Sequence, residues 1–147
     1  MARSTSTASA ERLILDAGAV IALARSEPRA MAFLRRAVEL DADVIIPVVV
    51  LAETLRGGRS DAGVHRVLNC IGGIESTHPE IGRVAGALLG RSRRTDTVDA
   101  MVVAEAVTRG GGQVLTSDPG DLGLLAASEP AVTIHPLAKL PVPPSRH

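Results

Sequence analysis

Four acidic residues stand at the ends of apolar runs: Asp16, Glu53, Asp99 and Asp118. Asp96 and Asp121 lie close to the last two in the chain. If the fold gathers them, the carboxylates repel one another and some of their pKa values rise unless cations intervene. A set of hard oxygen donors with no His or Cys favours Mg²⁺ or Mn²⁺. One or two such ions can activate water and stabilise in-line attack on phosphorus, which is the chemistry of a phosphodiesterase or nuclease.

Each acid also has a plain structural alternative. The run from Thr95 to Val107 has no internal Gly or Pro and reads as a helix with a Thr/Asp start. At about 100° per residue, Asp99 shares a face with Val102, Val103 and Ala106, so a first-turn carboxylate points toward the core. Asp96 lies close to that face. It could equally be the N-cap, with Asp99 the third helical residue, favoured by the helix dipole. Asp16 could likewise be an N-cap, and Glu53 an ordinary solvent-facing glutamate.

The elements that must position these residues alternate. Arg12 to Asp16 reads as a buried strand, followed by a turn into a helix over 17–24. Pro28 opens a helix from Arg29 to Leu40. Asp43 to Val48 is a second buried strand, Val49 to Arg56 a helix ended by Gly57-Gly58, and Arg59 to Asn69 a further helix with Arg56, Arg59 and Arg66 as a basic patch. Ile71 to Ser76 holds a short strand. His78-Pro79-Glu80 opens a helix through Leu89, closed by the basic loop Gly90 to Arg94. Gln113 to Asp118 is a third strand ending in an acid, Pro119 to Ala127 a helix, and Ala131 to His135 a closing strand. This alternation predicts an α/β fold with a mainly parallel sheet and helices on both faces. Parallel topology would carry the acids to one edge of the sheet, where ligands of open α/β folds bind.

The chain has 147 residues, enough for one domain with a core, and 46% of them are hydrophobic. We expect a flexible leader over 1–10, a single domain over 11–138 and a flexible proline-rich tail over 139–147. With one Phe and no Tyr or Trp, the core must be aliphatic, and base stacking on aromatic platforms is disfavoured. Formal charge is zero, and 15 of the 16 basic residues are Arg, Lys139 being the exception. Cys70 stands alone, which excludes an internal disulfide and a thiolate zinc cluster and fits a reducing cytoplasm. The four histidines (His65, His78, His135 and His147) share no metal-ligand spacing. No apolar run approaches the roughly 18 residues of a membrane span, so no membrane association is expected.

The segments Leu13-Ile14-Leu15-Asp16-Ala17-Gly18-Ala19-Val20-Ile21-Ala22-Leu23, Pro47 with Ala52-Glu53 and Arg56-Gly57-Gly58, Val98-Asp99-Ala100-Met101-Val102-Val103-Ala104, and Val114-Leu115-Thr116-Ser117-Asp118-Pro119-Gly120-Asp121-Leu122 occur in that order. Together they resemble the PIN-domain ribonucleases, and within them the VapC-type toxins of bacterial toxin–antitoxin pairs. The resemblance runs from about Arg12 to Leu137. It implies a PIN-like fold and a Mg²⁺- or Mn²⁺-dependent endoribonuclease whose acidic quartet is Asp16, Glu53, Asp99 and Asp118, with Asp121 as an additional candidate; Asp96 is a further metal candidate that helix spacing adds, not the family. The resemblance also implies an RNA substrate cut by a metal-activated water, a VapB-type antitoxin that inserts a basic side chain into the pocket, and a homodimer. Thr116 and Ser117 could hydrogen-bond the carboxylates or a metal-bound water. The family often carries Asn before the last Asp, where this chain has Ser117, which leaves Asp121 able to share or replace the role of Asp118.

Two other functions compete. One is a catalytically silent PIN-like domain that binds RNA or protein. The other is a phosphoryl-accepting α/β domain, which would need a lysine at the carboxyl edge, a place that Lys139 fits poorly.

Overall fold

The computed structural model describes residues 12–71, 74–75, 78–94 and 96–137. The proposed leader and tail, Lys139 among them, lie outside the described residues, as do Thr95 and the outer limits of the expected domain.

Among the described residues, five parallel strands form one sheet: β1 (Arg12–Leu15), β2 (Asp43–Pro47), β3 (Ile74–Glu75), β4 (Gly112–Thr116) and β5 (Val132–Pro136). Their order is β3-β2-β1-β4-β5, with every pairing parallel. Leu13, Ile14, Leu15, Ile45, Ile46, Val114 and Leu115 are all buried. Central strands covered on both faces read as continuous apolar runs, and that is why these segments carry no polar alternation.

Among the described residues, seven helices cover the sheet: α1 (Ala17–Ala24), α2 (Pro28–Glu39), α3 (Val48–Thr54), α4 (Ala62–Ile71), α5 (Pro79–Ser92), α6 (Thr97–Thr108) and α7 (Pro119–Leu125). The chain steps outward from β1 to β2 to β3, then returns across the sheet to β4 and β5. Right-handed crossovers therefore place the later helices on the face opposite the early ones. Accordingly α1 packs on α2 and α4, while α5 packs on α6 and α7. The expected α/β architecture is borne out. No helix among the described residues is long and apolar enough to cross a membrane.

Some boundaries move. The helix expected over Arg59 to Asn69 is a 3-10 turn, Arg59–Asp61, followed by α4. The cause is Asp61, which is buried and accepts the backbone N–H groups of Arg56 (3.0 Å) and Gly57 (2.7 Å). A side chain that caps the preceding loop in this way draws the backbone out of a regular helix. Ile71 belongs to α4, and the expected short strand is seen at Ile74–Glu75. Val48 starts α3 instead of ending β2.

Strand order reverses at β1, which pairs with β2 on one side and β4 on the other. In open α/β sheets the crevice at such a switch point lies outside the carboxyl ends of the strands. Here Asp16 directly follows β1, and Asp118 follows β4 by two residues.

Candidate active site

The register of β1 against β4 pairs Leu15 with Leu115. The next residues along, Asp16 and Thr116, are therefore neighbours. Asp16 is buried and caps α1, its carboxylate accepting the Ala19 N–H at 2.9 Å. Its own N–H donates to the Leu115 carbonyl at 3.2 Å. The strand-end and N-cap descriptions of Asp16 thus hold together: the cap fixes the side chain, and the strand carries it to the crevice.

Burial is the largest influence on Asp16 and raises its pKa. Hydrogen bonds from Thr116 and Ala19 work in the opposite direction, and the charges of Glu53 and Asp118 add to the rise. The Thr116 hydroxyl serves two acids: it hydrogen-bonds the Asp16 carboxylate and accepts the Asp118 N–H at 2.8 Å.

On α6, Asp96 is the N-cap and accepts the Asp99 N–H at 3.0 Å. Asp99 is in the first turn and half-buried, while Val102, Val103 and Ala106 on its face are buried. Both descriptions offered by the sequence apply here too. The cap that orients Asp99 also places a like charge beside it. Burial, followed by the charges of Asp96, Asp118 and Asp16, pushes the Asp99 carboxyl up to about 7.

A cavity of about 230 Å³ collects these groups. Asp16, Glu53, Asp96, Asp99, Ser117 and Asp118 line it with Ala17, Gly18, Val98 and Val102. All four members of the expected quartet, and Asp96, therefore face one space. Asp121 stands beside it: Asp99, Asp118 and Asp121 each offer a carboxylate oxygen within 4.8 Å of the others. Asp121 also pairs with Arg94 from the loop between α5 and α6.

None of the described residues lining the cavity is Arg, Lys or His. Ionising several carboxylates there without a counter-ion is costly, and the raised pKa of Asp99 expresses that cost. Oxygen donors, uncompensated negative charge and room for water are the conditions a hard divalent cation requires. The residues present fit such an ion.

Three residues gain importance from the structure. Asp61 falls within the helix expected over Arg59 to Asn69, although the preceding Gly57-Gly58 and Ser60 are turn signals. Glu105 is buried on α6 and meets Arg109 at 3.4 Å, an i,i+4 spacing visible in the sequence. Gly18, quoted only as part of a motif, lies so close to Ser117 that no side chain fits between them.

The remaining candidates fall away from the cavity. Cys70 is exposed on α4. His78 caps α5 through the Glu80 N–H, and His135 packs against Phe33 with ring centroids 5.3 Å apart. In the expected basic patch, Arg66 donates to the Ala24 carbonyl and Arg56 to that of Ala52.

The chain is similar to several solved structures. The crystal structure of FitAcB from Neisseria gonorrhoeae superposes with a TM-score of 0.61 at 19% identity, covering 85% of this chain and 97% of that one. The structure of VapBC2 from Rickettsia felis, bound to a DNA fragment from its promoter, gives a TM-score of 0.65 at 12% identity, with 85% and 98% covered. A toxin–antitoxin complex from Klebsiella pneumoniae gives 0.61 at 18% identity, with 82% and 95% covered. At these identities the likeness is one of fold. No curated protein sequence matches significantly. The PIN domain model matches residues 13–122, from the start of β1 through the acid-bearing turn after β4, and the chain belongs to the PIN domain family.

Proposed function

We propose that this protein is a divalent-metal-dependent endoribonuclease and the toxin of a toxin–antitoxin pair. The observation that carries the nuclease assignment is the convergence of Asp16, Glu53, Asp99 and Asp118 on one cavity with no lining cation among the described residues, at the switch point of the sheet. The toxin assignment draws on the solved relatives, which include a toxin–antitoxin complex of the same fold.

Asp16, Glu53, Asp99 and Asp118 would hold Mg²⁺ or Mn²⁺. The ion supplies Lewis acidity, making water nucleophilic at neutral pH and stabilising charge that builds on the phosphate oxygens. The chain contributes the rest. Asp16 is immobilised by its cap on α1 and by Thr116. Asp96 orients Asp99. The turn holding Asp118 is fixed by the Thr116 hydroxyl. Carboxylates preset in this way need little reorganisation when the site is loaded. Hydrolysis would leave a 5′-phosphate and a 3′-hydroxyl.

The same negative cavity would accept a basic side chain from a VapB-type antitoxin, which would block the metal and the substrate together. We further propose a homodimer as the working state.

The test is cleavage of total cellular RNA by purified, antitoxin-free protein with Mg²⁺ or Mn²⁺, beside EDTA and Asp99→Asn controls. Cleavage lost in both controls supports the proposal. Absence of cleavage by folded wild-type protein would overturn it in favour of a catalytically silent binding domain.

A further inference from the structure

Three arginines stand where α5 gives way to α6, and the structure treats them differently. Arg91, in the last turn of α5, pairs with Glu129 at 3.2 Å, away from the acidic cavity. Arg93 is exposed and ends the helix in the left-handed region, at φ 56°. That conformation turns the chain, so Arg94 leaves in a new direction and its guanidinium meets Asp121. Asp121 in turn has a carboxylate oxygen within 4.8 Å of oxygens from Asp99 and Asp118. Arg94 therefore stands at the rim of the candidate site, one carboxylate away from the residues that would hold the metal.

We propose that Arg94 is the phosphate-binding arginine of this site, and that Asp121 positions Arg94 instead of ligating the metal. The inference rests on the nuclease assignment and deepens it. An RNA backbone approaching a cavity of carboxylates is repelled over the whole Debye length, about 8 Å at physiological salt. A cation at the rim offsets that repulsion. Arginine suits the task because its planar fork of five donors can bind a phosphate oxygen pair while other N–H groups keep a second partner. The Arg94 and Asp121 side chains are 36% and 42% exposed, and ion pairs this open contribute little to stability. The guanidinium can thus exchange part of its carboxylate contact for phosphate at small cost, having been aimed beforehand. Asp121 lies outside the group lining the cavity, consistent with its side chain being engaged by Arg94.

The experiment measures RNA binding separately from cleavage. Fluorescence anisotropy with a single-stranded RNA oligonucleotide, in Mg²⁺ and across a salt series, would use the cleavage-deficient Asp99→Asn protein. Adding Arg94→Gln should weaken binding and reduce the slope of log K against log salt by about 0.7, the value for one lost phosphate contact on a single strand. Arg94→Lys should keep the slope but bind several-fold more weakly. Arg91→Gln should leave both unchanged. In parallel, calorimetric titration with Mn²⁺ should give equal affinities for wild type and Asp121→Asn. Melting curves establish that every variant is folded.

An unchanged slope in Arg94→Gln, with wild-type protein cutting RNA, would overturn the role of Arg94 and leave the nuclease assignment standing. A loss of about 10-fold or more in Mn²⁺ affinity for Asp121→Asn, the scale expected for a disturbed metal site, would overturn the role given to Asp121. Folded wild-type protein that cuts no RNA would overturn both proposals.

Discussion

A Cβ atom added at Gly18 would lie 1.9 Å from the Ser117 Oγ and 2.6 Å from its Cβ. The first turn of α1, which Asp16 caps, thus rests directly on the β4–α7 turn that carries Asp118. The lack of a side chain at position 18 lets the two turns, and hence the two acids, approach.

Gly18→Ala should accordingly separate the turns. We expect a destabilisation of about 1–3 kcal/mol, the usual cost of overpacking, and a loss of RNA cleavage larger than the loss of folded protein. Because the closest obstacle is the Ser117 side chain, Gly18→Ala with Ser117→Gly should recover much of the stability. A thermal double-mutant cycle measures this coupling, and additive effects would refute it.

Asp99→Asn keeps the size of the side chain and removes a charge that its surroundings oppose. Cleavage should vanish, while the metal-free protein becomes more stable at pH 7.5. Solvent screening at this half-buried residue limits the gain to about 1 kcal/mol, a Tm rise of about 2–4 °C for a domain of this size. Scanning calorimetry in EDTA checks it, and a lower Tm would mean that Asp99 serves chiefly as a structural residue.

The Asp99 pKa also sets a pH dependence. In the native state it stands near 7, against an unfolded value of 3.8. The native protein therefore binds more protons than the unfolded chain between those values, and stability falls as pH rises through that window. Burial shifts Asp16 in the same direction. Metal-free protein should lose Tm from pH 5 to pH 8, and Mn²⁺ should restore it at pH 8 far more than at pH 5, where protons compete for the ligands. Melting curves at both pH values, with and without the ion, decide this.

Thr116→Val tests the hydroxyl shared by two acids. The shape is kept, but the Asp118 N–H loses its acceptor and the Asp16 carboxylate loses a donor. We expect a stability loss of about 1–3 kcal/mol and Mn²⁺ affinity lower by about 10–100-fold, as for other residues that support metal ligands. Thr116→Ser should restore the affinity. Calorimetric titration of the three proteins gives the comparison.

Much of this was legible in the sequence. The apolar runs before Asp16 and Asp118 and the Ala/Val-rich segment after Asp99 named their elements, because continuous apolar strands and capped helices are written in local residue order. The role of Asp61 is not legible there, for the complementary reason. Its partners, the N–H groups of Arg56 and Gly57, come from a loop conformation that residue types alone leave undetermined, and a polar residue between Ser60 and Ala62 reads equally well as an exposed helical position.

By itself the sequence determined an α/β domain with an aliphatic core, an acidic residue at each of several element ends, and the order of the elements. Only the tertiary structure decided which acids meet. The order β3-β2-β1-β4-β5 sets β1 beside β4, although about 100 residues of chain separate them, and so brings Asp16 to Thr116 and Asp118. It also placed Arg94 on Asp121 and not on a nearer acid in the chain. Strand pairing and the turn at Arg93 act over distances that local propensity does not encode, and the electrostatics of the cavity exist only after those distances have closed.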